Sequence, residues 1–547
     1  MNKINFIKDC VKFISRNHIK EMIQPLNIRT ISNPIDKVPK NILTKINEYR
    51  NNTKNIPIII GGKEYFRNER KQLCPYDHET TVCNYNLADK NLIEKATKTA
   101  MAGREIMRKM DYKDKLNIFE KTSRLIASKY TADLFASTMF GQAKTFHQAD
   151  IDAICELVDF LRFDNYYYNK MNQQEWNRQD SEYNLKEWNP LNGFVASITP
   201  FNFTAIGGHL SAAPALMGNG VVWKPSDYSI LSNYVFYQCM LEAGLPPEAV
   251  SFVPSEPNAF FNTVVDKKDF GAIAFTGSSQ VFQEMYQVIG DSIHGYDCFP
   301  RIIGETGGNN FHFIFPDCDI NDAADKTVRG AFEYSGQKCS ATSRLYLPKT
   351  IWEEFIINMI NKLRDLTIGS PEEDNIFTSA VIHKNSYLKN EKVIKDHYNQ
   401  DGFEILYGSN TNMNVGYFIS PTIIKCSDPF SDLMSQENFG PILSVYVYND
   451  DHTNDIEKAL KICANTGKYA LTGAIFTESK DNLLLSYNYL SEVTGNFYIN
   501  DKCTGSVVGK QPFGGGKLSG TNDKAGGEDF LKRFANCRII KISGDQA

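Results

Sequence analysis

One cysteine in this chain stands in a sequence setting suited to a nucleophile. Cys339 follows Gln337 and Lys338 within a run of small residues, FEYSGQKCSATS, at positions 332–343. A reactive thiolate needs a turn that substrate can reach, with positive charge or oriented amide donors nearby. Taken alone, Cys339 is more simply explained as a small buried hydrophobic residue, which is the common role of an unpaired cysteine.

A glutamate upstream supplies the second group that such chemistry needs. Glu305 lies between an apolar, strand-like run and a double glycine in IIGETGGNN, at positions 302–310. This pattern predicts a carboxylate at a strand end facing a cleft, where burial raises its pKa toward the range of a general base. A surface glutamate in a turn is the alternative. Together, Cys339 and Glu305 indicate a mechanism in which a thioester forms and water then hydrolyses it.

Two kinds of element must position these residues. From Gly193 onward, short apolar segments alternate with helical segments, as in GFVASITP, GVVWKP, VSFVP and AIAFTGS. This alternation predicts a parallel sheet with helices on both faces, in which ligands bind beyond the carboxyl ends of the strands. Residues 89–170 instead carry apolar residues at helical spacing and are predicted to form helices.

Six short motifs occur along the chain in a fixed order: SITPFNF at 197–203, VVWKPSD at 221–227, FTGS at 275–278, GETGG at 304–308, GQKCSA at 336–341 and ENFGP at 437–441. Their order and spacing resemble those of the aldehyde dehydrogenase superfamily, from about residue 54 to about residue 543. The resemblance implies an α/β fold with a Rossmann-like NAD-binding domain, an α/β catalytic domain and a small β hairpin for oligomerisation.

The same resemblance implies a division of the chain into domains. The predicted parts are a mitochondrial transit segment at 1–40, an NAD-binding domain at 41–303 interrupted by the oligomerisation hairpin at about 166–190, a catalytic domain at 304–478, a return to the NAD-binding domain with the substrate loop at 479–520, and an oligomerisation tail at 521–547.

The resemblance also implies NAD as the cofactor and assigns residues to it. Lys224 is expected to bind the adenosine ribose, Thr199 to lie against the cofactor, Glu437 to hold the nicotinamide ribose and Phe439 to pack beside the nicotinamide. The start of a helix is expected to bind the pyrophosphate through its amides and dipole. Its residues are Gly277, Ser278, Ser279, Gln280 and Val281. Many superfamily members have glycine where this chain has Phe282, which leaves the detailed pyrophosphate contacts open.

A third catalytic residue is implied by the TPFNF motif. The side-chain amide of Asn202, with the backbone N–H of Cys339, is expected to donate to the oxyanion that forms on the substrate. One such donor is typically worth about a hundredfold to a thousandfold in rate. Without the surrounding motif, Asn202 would be read as an asparagine in the turn after Pro200.

The substrate is expected to be held at a distance from the reacting carbon. Thr504, Gly505 and Ser506 form a loop rich in hydroxyl and amide donors, suited to an α-carboxylate; a turn with no special role is the alternative. By the resemblance, Phe513 flanks the aliphatic part of the substrate, Ser340 also touches the carboxylate and Glu156 approaches the amino group. A solvated glutamate on a helix surface is the alternative for Glu156.

The amino-terminal residues differ from the rest of the chain. Basic and apolar residues alternate over roughly the first 30 positions, at a spacing that gives a helix one basic and one apolar face. This pattern is typical of a mitochondrial transit peptide, although Asp9 and Glu21 are acidic residues that such peptides usually avoid. A basic tail is the alternative. The resemblance favours import and implies the mitochondrial matrix.

Composition excludes several classes of protein. The 547 residues carry a formal charge of only −5, which does not point to nucleic acid or anionic membrane as a partner. No apolar run approaches the roughly 18–20 residues of a membrane-spanning helix. The 12 cysteines contain no C-x-x-C pair, which argues against a zinc site and a secreted disulfide scaffold. We therefore expect no metal, a small-molecule substrate and, by the resemblance, a homodimer or higher homo-oligomer.

The expected activity is NAD-dependent oxidation of L-glutamate 5-semialdehyde, which equilibrates with its cyclic form, to L-glutamate. This reaction is the second step of proline degradation, and nothing upstream in the chain is long enough to hold a proline-oxidising barrel. An NAD(P)-dependent dehydrogenase of another semialdehyde or aliphatic aldehyde is one alternative. A non-catalytic protein that kept the fold is a weaker one, because it has no need of Cys339, Glu305, Asn202, Lys224 and Glu437 together.

Overall fold

The computed structural model describes residues 24–28, 30, 37–173, 177–179 and 182–543. Most of the predicted transit segment therefore lies outside the described residues. In its described part, Val38 is buried in the main hydrophobic core and Ile28 packs against that core. Within the described ranges, no helix is both long enough and apolar enough to cross a membrane.

A seven-stranded sheet forms the first half of the fold. Its first five strands run parallel and the last two pair antiparallel. In spatial order the strands are Arg301–Glu305, Phe270–Thr276, Phe194–Ile198, Val221–Lys224, Val250–Phe252, Ile58–Ile60 and Lys63–Tyr65. The predicted parallel sheet is confirmed by this arrangement.

Both faces of this sheet are buried, as the unbroken apolar character of its strands requires. Along the Phe194–Ile198 strand, Val195 joins one hydrophobic cluster while Phe194 and Ala196 join another. The helices that cover the two faces are Lys90–Lys109, Thr204–Leu216, Ile230–Ala243, Pro257–Val265 and Ser279–Asp291.

A second seven-stranded sheet forms the other half, and its strands are parallel except at one edge. In spatial order they are Phe403–Tyr407, Thr422–Cys426, Ile442–Tyr448, Thr342–Pro348, Asn310–Ile314, Thr472–Phe476 and Asn496–Ile499. The helices of this region are Ile320–Phe332, Trp352–Arg364, Lys384–Asp396, Asp432–Ser435, Thr453–Thr466 and Lys480–Leu490, with short 3₁₀ turns at Glu333–Gly336 and Ser491–Val493.

The predicted return to the first domain at residue 479 differs from this topology. The Lys480–Leu490 helix packs into the hydrophobic cluster of the second sheet, and Asn496–Ile499 pairs parallel with Thr472–Phe476 as the last strand of that sheet. The apolar residues of both elements continue the strand–helix–strand alternation, so the second sheet extends beyond the predicted boundary. Only after residue 499 does the chain return toward Glu305, where Gly520 forms an isolated bridge.

A third sheet combines a hairpin with the end of the chain. Strands Asn177–Gln179 and Glu182–Pro190 form the hairpin, and Ala535–Ser543 pairs antiparallel with Glu182–Pro190 along its whole length. The predicted start of the hairpin at residue 166 falls instead inside the Leu157–Asn172 helix. The tyrosines there favour strands by propensity, but burial of Tyr168 and Asn169 on a helical face overrides that preference.

The predicted helical region at 89–170 is confirmed. After Lys90–Lys109, its helices are Tyr112–Ile126, Thr131–Gln142, Phe146–Ala149 and Leu157–Asn172, preceded in the chain by Lys40–Asn51. One turn departs from α geometry, since Asp150–Glu156 is a π-helix. Such turns are rare and are frequently found at functional sites.

Smaller strand pairs and short helices complete the described part of the chain. They are Lys54–Ile56 and Glu69–Cys74 with Asp77–Asn86, Thr367–Ile368 with Ile376–Thr378, Thr411–Asn412 with Phe418–Ile419, Tyr469–Ala470 with Gly516–Lys517, a 3₁₀ turn at Ile293–Gly295, and the helix Glu528–Lys532.

Candidate active site

A cavity of about 390 Å³ brings together residues that are far apart in the sequence. Its wall is built from the 144–160 helical region, the strand ends at 275–276 and 303–305, the turn at 333–340 and the loop at 502–514. The predicted site residues that line it are Cys339, Glu305, Ser340, Glu156, Gly505, Ser506 and Phe513. Asn202 and the predicted cofactor residues are not part of this lining.

The nucleophile turn, residues 334–340, is held in an unusual backbone conformation. Tyr334, Ser335 and Gly336 have φ angles of 55°, 52° and 67°. Left-handed geometry costs a non-glycine residue roughly 1–2 kcal/mol, so the surroundings must impose it. Ser335 is fixed by a 2.7 Å bond from its N–H to Thr378 Oγ1 and by a 2.5 Å bond from its hydroxyl to the Ser379 carbonyl.

An asparagine that sequence reasoning did not single out holds the other side of the turn. The side-chain amide of Asn310 donates to the carbonyl oxygens of Cys339, at 2.7 Å, and Ala341, at 2.8 Å. Its own Oδ1 accepts from the Thr472 N–H at 3.0 Å, so the side chain is fully engaged and buried. Its position at the start of the strand that follows the double glycine does not by itself reveal this role. Gly308 belongs to that pair, and a Cβ there would lie 2.2 Å from the Cys339 carbonyl oxygen.

Cys339 is buried, with 9% of its surface exposed in the cavity. Burial raises the pKa of its thiol well above the ordinary value, and the carboxylates of Glu305 and Glu437 raise it further. The backbone N–H of Ser340 opposes this effect by favouring the thiolate. This setting favours the thiol over the thiolate, so Cys339 needs a base to become a nucleophile.

Glu305 ends the Arg301–Glu305 strand and faces the cavity. Burial raises the pKa of its carboxyl to about 8, while the ammonium of Lys524 opposes the shift. Its Oε1 is buried and has no hydrogen-bond partner among the described residues. A carboxylate with a near-neutral pKa and an uncommitted oxygen is suited to take a proton from a thiol or from water.

Asn202 lies in the loop between the Phe194–Ile198 strand and the Thr204–Leu216 helix. It is buried, and its side-chain amide donates to the Gln337 carbonyl at 3.2 Å. This bond places the amide beside the nucleophile turn, two residues before Cys339. The oxyanion role of Asn202 stays a prediction.

Two of the predicted cofactor residues, Thr199 and Lys224, lie at the carboxyl ends of strands in the first sheet. Lys224 ends its strand and is buried, with Nζ 3.7 Å from Asp227 Oδ1, and burial lowers the pKa of its ammonium. Thr199 accepts a 3.0 Å bond from the indole N–H of Trp223. Neighbouring parallel strands thus deliver both residues to one edge of the sheet.

The predicted pyrophosphate site is the start of the Ser279–Asp291 helix. Ser278 caps this helix by accepting from the Val281 N–H at 3.3 Å, and Ser278, Gln280 and Val281 are exposed. The other amides of the first turn lack partners within the helix, so they are open to an anion. Gly277 joins this helix to its strand, and Ser279 Oγ is bound to the Leu518 carbonyl at 2.8 Å.

Phe282 fills the space where many superfamily members have glycine. Its ring stacks on Phe275 with 5.5 Å between centroids and lies over Gly304, where a Cβ would be 1.9 Å from the ring. The helix is therefore packed on the sheet through an aromatic contact. Phe282 itself is buried, whereas Ser278, Gln280 and Val281 beside it are exposed.

Glu437 approaches the GETGG turn closely enough to require glycine there. Its Oε1 accepts from the Gly308 N–H at 2.9 Å, and a Cβ on Gly307 would lie 2.1 Å from its Oε2. Burial raises the pKa of the Glu437 carboxyl to about 7. Two residues on, Phe439 has a φ of 55° and packs edge-on against Phe201. These contacts fit a carboxylate and an aromatic ring presented to a dinucleotide.

The carboxylate loop, residues 504–506, lies beside the nucleophile turn. The Thr504 and Ser340 hydroxyls are 2.7 Å apart, and both residues are buried. Gly505 has a φ of 86° and is exposed, while Ser506 is half-buried. A left-handed glycine between two hydroxyl residues is suited to an anion, and the role of this loop in binding a carboxylate stays a prediction.

Glu156 ends the π-helix and lines the cavity, which excludes the alternative of a solvated surface glutamate. Burial, together with the charge of Asp152, raises the pKa of its carboxyl to about 8, whereas Lys144 and Lys338 oppose the shift. Lys144 and Asp152 form a buried ion pair at 2.7 Å. This charged group was not predicted from the sequence, because the π-helix that brings its members together has no simple periodic signal.

Comparison with known proteins places the chain in a family. The model of the aldehyde dehydrogenase family matches residues 64–540, and the chain belongs to that family. It is 41% identical to the mitochondrial delta-1-pyrroline-5-carboxylate dehydrogenase of Dictyostelium discoideum over 498 residues, covering 90% of this chain and 89% of that one. Identity to the human mitochondrial protein of the same name is 41% over 488 residues, covering 89% and 86% of the two chains.

Solved structures agree with the family. The delta-pyrroline-5-carboxylate dehydrogenase of Mycobacterium tuberculosis is similar with a TM-score of 0.91 and 32% identity, over 97% of this chain and 98% of that chain. A structure of that bacterial protein bound with NAD is similar to the same degree, with a TM-score of 0.91. The predicted aldehyde dehydrogenase fold is confirmed.

Proposed function

We propose that this protein oxidises L-glutamate 5-semialdehyde to L-glutamate with NAD as the oxidant, and so performs the second step of proline degradation. The observation that carries the proposal is the cavity itself. It holds Cys339 and Glu305 together with the carboxylate loop, so one small molecule can present an aldehyde to the thiol and a carboxylate to the loop. Relatives at about 40% identity that carry the name of this activity support it.

The proposed reaction begins at Cys339. Its thiol passes its proton to water in the cavity, and the sulfur attacks the aldehyde carbon while Asn202 and the Cys339 N–H donate to the new oxyanion. When bound, NAD accepts the hydride of that carbon. The product on the enzyme is a thioester, and Glu305 takes a proton from the water that attacks it. Glutamate leaves, and the sulfur of Cys339 is released for the next cycle.

NAD fits the residues at the carboxyl edge of the first sheet. The exposed amides at the start of the Ser279–Asp291 helix suit a pyrophosphate, and Lys224 suits the adenosine ribose. Glu437 would hold the nicotinamide ribose, because its Oε2 occupies the space that a side chain at Gly307 would fill. Phe439 would pack beside the nicotinamide. Thr199 would lie against the cofactor.

The remote end of the substrate has its own set of residues. Thr504, Gly505 and Ser506 would bind the α-carboxylate, and Glu156 would approach the α-amino group. Phe513 would flank the carbon chain, and Ser340 would also touch the carboxylate. These contacts hold the substrate in the cavity in place for Cys339, and their main effect is expected on affinity.

The proposed function has a direct test. The purified chain is mixed with pyrroline-5-carboxylate, or with butanal, hexanal and succinate semialdehyde, each with NAD and with NADP, and reduced cofactor is followed by absorbance. We expect strong preference for pyrroline-5-carboxylate with NAD. Activity on simple aldehydes alone would discard the substrate while keeping the chemistry, and silence with every substrate would contradict the enzymatic proposal.

Location and assembly follow the relatives. The names of the Dictyostelium and human relatives, which are called mitochondrial, support a place in mitochondria. Within mitochondria, we propose the matrix. The hairpin sheet, with its exposed Ile539, is proposed to join subunits in a homodimer or higher oligomer. Fractionation of cells and light scattering of the purified protein test the two proposals separately.

A further inference from the structure

Part of the predicted transit segment forms the wall of the substrate cavity. Ile28 and Thr30 both line the cavity that contains Cys339. Ile28 is half-buried and packs against the main hydrophobic core, whereas Leu26 is 84% exposed. We call residues 26–28 the wall segment.

A buried carboxylate anchors this segment. Asp159, on the Leu157–Asn172 helix, is 4% exposed. Its Oδ2 accepts from the side-chain amide of Asn27 at 2.8 Å, and its Oδ1 accepts from the Ile28 N–H at 3.1 Å. A buried carboxylate without hydrogen-bond donors is energetically costly. Because the wall segment supplies two donors to Asp159, these bonds stabilise the segment against the body of the protein.

The same asparagine reaches the loop that faces the substrate. Asn27 Nδ2 also donates to the Val508 carbonyl at 2.7 Å, two residues after Ser506. On the outer side, Arg162 donates to the Leu26 carbonyl at 3.1 Å. The wall segment therefore bridges the Leu157–Asn172 helix and the loop that follows Ser506.

We propose that the wall segment determines which aldehydes the enzyme accepts. Ile28 forms an apolar part of the cavity wall, and Asn27 is a positioning residue that holds the carboxylate loop through Val508. This inference rests on the proposed function, since it assigns specificity for that reaction to residues outside the motifs of the family. It also requires that the working enzyme retain residues 26–28.

Two residues of the wall segment are expected to control specificity in different ways, because Ile28 is an apolar wall and Asn27 is a polar bridge. A hydrophobic wall discriminates between ligands that differ by a methylene by about 10- to 200-fold at most. The Ile28 side chain is such a wall, placed next to the residue that fixes the loop. Shortening it makes room for longer apolar aldehydes, whereas loss of the Asn27 bridge loosens the donors that recognise a carboxylate.

The test uses point variants of the full chain. Ile28→Ala and the milder Ile28→Val are compared with Asn27→Ala, and Leu26→Ala is the matched control because its side chain is exposed and its backbone bond to Arg162 remains. For each, kcat and KM are measured with pyrroline-5-carboxylate, butanal, hexanal and octanal, alongside the melting temperature and the Kd of NAD.

We expect Ile28→Ala to raise the kcat/KM ratio of octanal to pyrroline-5-carboxylate by about tenfold, with Ile28→Val intermediate. Asn27→Ala should raise KM for pyrroline-5-carboxylate by about tenfold with little change in kcat, since the bridge orients a remote contact. Leu26→Ala should behave as the native chain, and NAD binding should be unchanged throughout. An identical chain-length profile in all folded variants would overturn the inference.

A second readout does not depend on the substrate. Cys339 is alkylated with iodoacetamide and with a bulky maleimide, and modification is quantified on its peptide by mass spectrometry. Opening of the wall in Ile28→Ala should speed the maleimide several-fold more than iodoacetamide, relative to Leu26→Ala. If the maleimide is accelerated in this way but the native chain does not oxidise pyrroline-5-carboxylate, the proposed substrate is wrong while the role of the wall segment is supported. Equal rates of alkylation in all variants would contradict the inference on the wall segment, even if the proposed substrate is correct.

Discussion

The two ends of the substrate cavity are built in different ways. The nucleophile turn is buried, has three consecutive left-handed residues and is bound on both sides, by Ser335 to Thr378 and by Asn310 to the Cys339 carbonyl. The carboxylate loop is partly exposed, and Thr504 anchors it to Ser340. The reacting end is thus fixed by many contacts, while the recognising end is held by few.

This difference separates rate from recognition. A rigid nucleophile meets the aldehyde in one geometry, and a misplaced nucleophile loses the most rate. A loop that is held by few contacts can adjust to its ligand at a small cost in free energy. Substitutions in the nucleophile turn should therefore act on kcat. Substitutions in the carboxylate loop should act on KM.

The sharpest test of the rigid end removes its nucleophile. Cys339→Ala should lower kcat by at least about 10⁴-fold, because the covalent route is lost. Cys503→Ala is the matched control: this buried thiol lies 3.4 Å from the Ser340 carbonyl and is expected to take no part in the reaction. NADH absorbance measures both. Appreciable turnover in Cys339→Ala would contradict a covalent mechanism.

The next largest effect is expected from the base. Glu305→Gln should lower turnover by about 10²- to 10⁴-fold, since water is no longer deprotonated. The pKa of Glu305 is raised to about 8 and its active form is the carboxylate, so the native rate should rise with pH through about 8. The variant should lack that rise.

The same variant distinguishes two roles for Glu305. Mass spectrometry after mixing Glu305→Gln with substrate and NAD should find a glutamyl adduct on Cys339, because only hydrolysis is blocked. If neither the adduct nor a burst of NADH forms, Glu305 serves to deprotonate the thiol instead.

A smaller effect on rate is expected from the brace behind the nucleophile. Asn310→Ala should lower kcat by about 10- to 100-fold with little change in KM, because the Cys339 carbonyl loses its 2.7 Å bond and the sulfur shifts. Asn309→Ala is a matched control, since its buried amide donates instead to the Met434 carbonyl. Both variants should lose thermal stability, but only the first should lose rate. Equal kcat in the two would show that the turn is rigid without Asn310.

The smallest effect on rate is expected at the recognising end. Ser506→Ala should raise KM for pyrroline-5-carboxylate by about tenfold, the typical value of one hydrogen bond to a charged group, and leave kcat within about threefold. KM for hexanal, which has no carboxylate, is the internal control and should not change. A fall in kcat with unchanged KM would contradict the claim that the carboxylate loop acts on KM and the nucleophile turn on kcat.

Much of the fold could be predicted because it depends on local patterns. The alternation of apolar strands and helices fixes the parallel sheets, and the strand ends then place Lys224 and Glu305 at one edge without further information. Four of the six family motifs lie at those strand ends, whereas GQKCSA and ENFGP come directly before strands of the second sheet. Strand ends therefore account for the place of Glu305, while Cys339 was predicted from its motif.

The parts that were missed depend on tertiary contacts. Asn310 looks like any asparagine after a double glycine until its two carbonyl partners are known. The Lys144–Asp152 pair depends on a π-helix, and Asn27 depends on a buried carboxylate 132 residues away. The boundary at residue 479 was wrong for a related reason, because only strand pairing shows that Asn496–Ile499 extends the second sheet.

The hairpin sheet has a consequence for the order in which the chain can fold during synthesis. Arg538 and Glu187, paired across its strands, are separated by 351 positions. While a ribosome makes the residues between them, the Glu182–Pro190 strand has an edge with no partner, and such edges invite pairing with other chains. The proposed subunit-joining surface is therefore completed last, so that assembly waits for a finished chain.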